Sequence, residues 1–121
     1  MKALLVVGSA FAAISVLFGA FGAHILKSRL STEDLTIFET AVRYQMYHSL
    51  GIMIMGVASF YIPHNLISFP SYFMIFGTII FSGTLYLIVF TNLRWMGAIT
   101  PVGGLCLILG WLIFAYNIYR S

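Results

Sequence analysis

Polar material is what this chain has least of. Of its 121 residues three are acidic and six are basic, 7% charged in all, against roughly a quarter in soluble domains. Such a sequence cannot provide the solvated surface of a water-soluble globule. The six cations, Lys2, Lys27, Arg29, Arg43, Arg94 and Arg120, are dispersed near the ends of apolar segments and form no block. They suit interfacial anchoring and exclude a nucleic-acid-binding surface. One cysteine, Cys106, excludes an intrachain disulfide and a cysteine-based metal cluster, and within an apolar run it reads as a small core residue. The three prolines, Pro63, Pro70 and Pro101, all fall between the apolar runs.

Those runs are Ala3 to Ala23, Ile37 to Ile62, Tyr72 to Thr91 and Val102 to Tyr119. A helix rising ~1.5 Å per residue needs about 20 residues to cross ~30 Å of hydrocarbon, so each run is a transmembrane span. The expected fold is all-α: a polytopic membrane protein, one domain over residues 1–121, with four transmembrane helices in a compact bundle. No segment is left for a soluble catalytic domain. Met1-Lys2 followed by apolar residues resembles a secretory signal, but the run continues through Phe21 without a polar cleavage region, which favours a retained span.

Each span has its own character. The first carries Gly8, Ala12, Ser15, Gly19, Gly22 and Ala23 on a narrow stripe where another helix can approach closely. These glycines show no phosphate-loop spacing. In the first connector, Ser31 followed by Glu33 and Asp34 predicts a helix start near Thr32. The segment Pro63 to Pro70 is expected to be a tight, partly membrane-immersed turn. The third span has a hydroxyl stripe, Thr78, Ser82 and Tyr86, suited to bonds across helices or back to its own backbone. Arg94 and Trp95 mark a membrane boundary, and Thr100-Pro101 predicts a capped start for the fourth helix. Basic residues in the first and third connectors favour those loops being cytoplasmic and both termini outside, by one or two charges.

Ionisable groups at membrane depth are costly, so they are the first candidates for function. The second span concentrates them. Glu39 and Arg43 form an i, i+4 pair on one face, read chiefly as an interfacial pair with Arg43 reaching the headgroups. Gln45 and His48 lie on another face, and Tyr44 adjoins them. His48 is expected to bond Ser82, Tyr86 or a carbonyl of a neighbouring helix in preference to transferring protons. His24 is placed to cap the first helix. His24 and His48 without carboxylate or cysteine partners specify neither metal nor haem, so no cofactor is expected. Gly97 to Gly104 leads into a helix N-terminus, where Arg94, Thr100, Pro101, Gly103 and Gly104 are candidates for contact with a lipid phosphate or for close helix packing, the second being favoured.

The motifs Gly19-Ala20-Phe21-Gly22-Ala23-His24, Thr40 to His48, Phe81 to Tyr86, Gly97 to Gly104 and Gly110-Trp111 together resemble the small membrane proteins of domain-of-unknown-function family 423, the YgdD/YwdK-like proteins. The resemblance covers the chain in order. Phe38 stands where Trp is usual and Thr84 where Ser is usual. It implies a polytopic inner or plasma membrane protein without established reaction, substrate or cofactor, and marks His24, Tyr44, Gln45, His48, Ser82, Tyr86, Thr100 and Pro101 as its site positions. The resulting expectation is a non-enzymatic protein of the cell membrane that supports membrane integrity or homeostasis. Its partners would be membrane lipids and further copies of itself, and the alternative is a small transporter or channel subunit with a polar path along the second and third spans.

Overall fold

The computed structural model describes residues 2–121, and no strand occurs among them. The first rod, Lys2–Leu26, is continuous. It consists of α1 (Lys2–Leu17), one wide π turn (Phe18–Gly22) and the short α2 (Ala23–Leu26), with helical dihedrals across both junctions. His24 lies inside this rod, which runs on to Leu26, and its side chain bonds none of the closing carbonyls among the described residues, so the capping role expected of it is not seen.

Helix α3 (Thr32–Ala58) starts where the sequence indicated. Ser31 is extended, at φ −62° and ψ 161°, and its Oγ accepts the Asp34 amide at 3.1 Å. Glu33 and Asp34 occupy the first turn, where carboxylates complement the helix dipole.

Helix α4 (His64–Thr91) corrects the expected Pro63–Pro70 turn. Pro63 is the residue ahead of the helix, and Pro70 lies inside it, fully buried. Proline lacks an N–H and leaves the carbonyl four residues earlier without its usual donor. That carbonyl belongs to Leu66, and the Asn117 side-chain amide of the last helix donates to it at 2.9 Å. Asn92, at φ 58°, ends α4 in the left-handed conformation that Asn tolerates.

A 3₁₀ turn (Arg94–Ala98) feeds directly into α5 (Thr100–Arg120). Thr100 is therefore already helical and is not the cap; the capping position falls to Ile99, without a side-chain bond. Pro101 sits in the first turn, as its missing N–H allows.

Packing follows chain order: α1 lies on α3, α3 on α4, and α4 on α5. Lys2–Leu26, His64–Thr91 and Arg94–Arg120 are each long and apolar enough to cross a membrane. Helix α3 has the length but more polar residues, and it is held between α1 and α4, with Phe38, Ala41, Ile52 and Met55 fully buried. The apolar core, Leu4, Ile52, Met55, Ile67, Met74, Leu107 and Phe114, fills the half of the bundle next to the α3–α4 turn. Gln45, Ser82, Thr84 and Thr100 lie buried in the other half, beneath an aromatic group of Phe18, Phe38, Tyr86 and Phe90.

Candidate functional site

Gln45 is the centre of the polar half. It is 6% exposed, and its primary amide joins three helices. Nε2 donates to the Phe11 carbonyl of α1 at 2.9 Å, and Oε1 accepts the Tyr86 hydroxyl of α4 at 2.6 Å. The Ser49 hydroxyl donates to the Gln45 carbonyl at 2.5 Å. Beside it, Ser82 Oγ donates to the Ala41 carbonyl at 2.8 Å, a second bond between α4 and α3, while Thr78 bonds back to Met74.

His48 faces the other way, toward α5. Its Nε2 accepts the Trp111 indole N–H at 3.0 Å, and its Nδ1 lies 2.7 Å from the Tyr44 carbonyl. An indole only donates and a carbonyl only accepts, so these neighbours assign the neutral tautomer with the proton on Nδ1. The expected partners Ser82 and Tyr86 are not used, because both bond α3 on the side toward Ala41 and Gln45. The Tyr44 ring stacks on His48 and packs against Phe81. Thr84 and Thr100 hydroxyls meet at 2.6 Å between α4 and α5. Among the described residues, no buried side-chain nitrogen or oxygen lacks a partner.

Two openings flank this network. A groove of about 250 Å³ between α1 and α4 is walled by Phe11, Ile14, Phe18 and Ile79 and floored by Gln45, Ser82 and Tyr86. Gly83 borders it, and a Cβ there would meet nothing within 4 Å. A cleft of about 270 Å³ on the other flank of the first rod is lined by Gly19, Ala23, Phe38, Val42, Glu39 and Arg43. Glu39 and Arg43 make the expected contact, at 3.5 Å, with both side chains well exposed.

A chain comparison fits this architecture. Residues 18–104 match the family model described as protein of unknown function (DUF423). The chain belongs to the DUF423 family. Its DUF423 relatives include a UPF0382 membrane protein of Staphylococcus haemolyticus, 41% identical over 120 residues, covering 99% of this chain and 98% of that protein. Another, from Staphylococcus epidermidis, is 42% identical over 113 residues, covering 93% and 92%. The UPF0382 membrane protein YwdK of Bacillus subtilis is 34% identical over 114 residues, covering 93% of each. No solved structure matches.

In this DUF423 chain the helix-entry residues are absorbed by packing. Arg94 donates from both terminal nitrogens to the two Asp34 carboxylate oxygens at 2.8 Å, and from Nε to Asn92 at 2.7 Å. Gly103 lies against the α4 backbone at Phe81, Gly104 faces the Phe81 ring, and Pro101 is exposed. The Arg94–Asp34 pair fastens the third connector to the start of α3. The Arg94 hydrogen bonds hold the Asp34 carboxyl below its ordinary value of 3.8. A depressed carboxylate pKa contributes stability that is complete above the unfolded value and is lost as pH falls through the folded one. The Asp34 contribution to thermal stability is therefore expected to be constant from pH 7 down to about 5 and to be lost below that, so the melting difference between wild type and Asp34→Asn should shrink as pH falls through the carboxylate range.

Sequence reasoning singled out Gln45, His48, Ser82 and Tyr86 but not Trp111 or Asn117. The signal was present in α5: an indole N–H and a primary amide in an otherwise apolar helix each require a partner.

Proposed function

We propose that this DUF423 chain is a non-enzymatic integral protein of the cell membrane that supports membrane integrity by holding lipid against its outer helix faces. The observation that supports this reading is the saturation of its interior. Gln45, His48, Ser49, Thr78, Ser82, Thr84, Thr100 and Asn117 are buried and bonded to protein, so they offer no unpaired groups along a path. The two openings that flank the polar network lie between helices and face outward, as does a further one. The latter, of about 580 Å³ beside α1 and α3, is lined entirely by Leu5, Leu50, Met53, Ile54, Val57 and Ala58.

Lipid acyl chains, and further copies of the chain, fit such surfaces. The Arg94–Asp34 pair holds the first and third connectors together on one side, and their basic residues support a cytoplasmic placement with termini outside.

Cells lacking the protein are expected to leak a membrane-impermeant dye faster than wild type and to recover on complementation. Proteoliposomes should pass protons, metal ions and small solutes no faster than empty vesicles. Flux that is abolished by Gln45→Ala or His48→Ala would replace this reading with a transporter or channel subunit. Unchanged dye leak in the deletion strain would remove it.

A further inference from the structure

We infer that the cleft between the π turn and α3 is a binding site for a zwitterionic phospholipid headgroup bearing a primary ammonium, with Arg43 on the phosphate and Glu39 on the ammonium. This rests on the lipid-holding reading above and names the headgroup.

Arg94 and Arg43 differ in how fully they are occupied. Arg94 uses Nε and both terminal nitrogens on Asp34 and Asn92. Arg43 makes one contact among the described residues, a single 3.5 Å bond to Glu39, and its side chain is 61% exposed. A guanidinium has five N–H donors, and in a membrane an unused donor draws an acceptor toward it.

Depth supplies the second observation. Helix α3 has 27 residues, about 40 Å, against ~30 Å of hydrocarbon. The excess belongs at its N-terminal end, which carries Glu33 and Asp34. About two turns therefore stand outside the hydrocarbon, placing Glu39 at its boundary and Arg43 about 6 Å deeper. In a phospholipid the phosphate is bonded to the glycerol and the ammonium lies beyond it, toward water. From the hydrocarbon outward, the order Arg43 then Glu39 matches the order phosphate then ammonium.

The cleft has room for such a group. Ala23 borders it on the first rod, where Gly19 packs close to Val42, and Val42 provides an apolar wall for the start of the acyl chains. Charge decides between headgroups. With one cation and one anion the site has no net charge, so an anionic headgroup would meet repulsion from Glu39. A quaternary choline could not donate a hydrogen bond to the Glu39 carboxylate.

The test reconstitutes the full chain in vesicles of equal phosphatidylethanolamine, phosphatidylglycerol and phosphatidylcholine, and measures co-purifying lipid by native mass spectrometry. Wild type is expected to enrich phosphatidylethanolamine about two- to fivefold over either competitor, the scale of one exposed charged contact. Glu39→Gln should move the preference to phosphatidylglycerol, and Arg43→Gln should lower the total lipid retained, since the phosphate it holds is common to all three headgroups. Both side chains are exposed, and matching helix content and melting for each variant identify a folded protein. Retained lipid that mirrors the vesicle composition in wild type, an unaltered preference in folded Glu39→Gln, or an unaltered amount of retained lipid in folded Arg43→Gln overturns the site. Wild type without headgroup preference that still lowers cellular dye leak removes this site alone and leaves the broader reading in place.

Discussion

Gly103→Ala is expected to destabilise the bundle by about 1–3 kcal/mol, toward the upper end of that range. A Cβ at Gly103 would fall 2.5 Å from the Phe81 amide nitrogen and 2.9 Å from its Cα. These are backbone atoms inside α4, and they cannot rotate away as a side chain would, so α5 must move off α4. That movement would also part the Thr84 and Thr100 hydroxyls, which meet at 2.6 Å just above the contact. The internal control is Gly83→Ala. Its Cβ enters open space at the α1–α4 groove, so relief of glycine's helix cost should stabilise by about 0.5–1 kcal/mol. Denaturant titration of both variants in mixed micelles checks the opposite signs. Equal effects would mean that the α4–α5 approach is not limited by Gly103.

Asn117→Leu is the second large effect, a loss of about 1–3 kcal/mol. The side chain it removes is the donor to the Leu66 carbonyl, which Pro70 has left without its helical N–H. Part-buried between α4 and α5, that oxygen is left without its donor when the amide is gone. Asn117 also accepts from Arg120 Nε at 3.2 Å, so the end of α5 loosens with it. Pro70→Ala returns an N–H to the same carbonyl. The double variant should accordingly recover much of the stability lost in Asn117→Leu, a coupling of about 1 kcal/mol in a double-mutant cycle. Additive losses would show that the Leu66 oxygen is satisfied by another route.

The same pair of residues explains what could be read in advance and what could not. Long apolar runs announce membrane helices because length and composition alone decide them, and Ser31 announces a helix start because its bond to Asp34 is local. Pro70 misled because a proline's effect on a helix depends on whether something distant takes up the freed carbonyl, and Asn117 is 51 residues away. Within the candidate site, buried polar residues were recognisable as costly, so Gln45 and His48 stood out. Their partners were not recognisable, because helical periodicity places a side chain on a face without saying which helix that face meets. Trp111, 63 residues beyond His48, and Arg94, 60 residues beyond Asp34, are of this kind. Thr100 shows the limit of a local rule: its motif is that of a cap, yet the 3₁₀ turn ahead of it extends the helix by a residue and turns its hydroxyl toward Thr84.

The order of helix packing bears on how the protein is made. Each helix lies on the one synthesised just before it, so a ribosome that has released the first three long helices has already produced every partner in the Gln45, Tyr86, Ser82 and Ala41 bonds. Two groups must wait for the last helix: His48 Nε2 for Trp111 and the Leu66 oxygen for Asn117, whereas the Thr84 hydroxyl also bonds the Phe81 carbonyl of its own helix. Arrival of α5 is thus the step that completes the bundle interior, and a chain stalled before it would present a bare imidazole nitrogen and an open carbonyl along one face, a recognisable mark of unfinished synthesis.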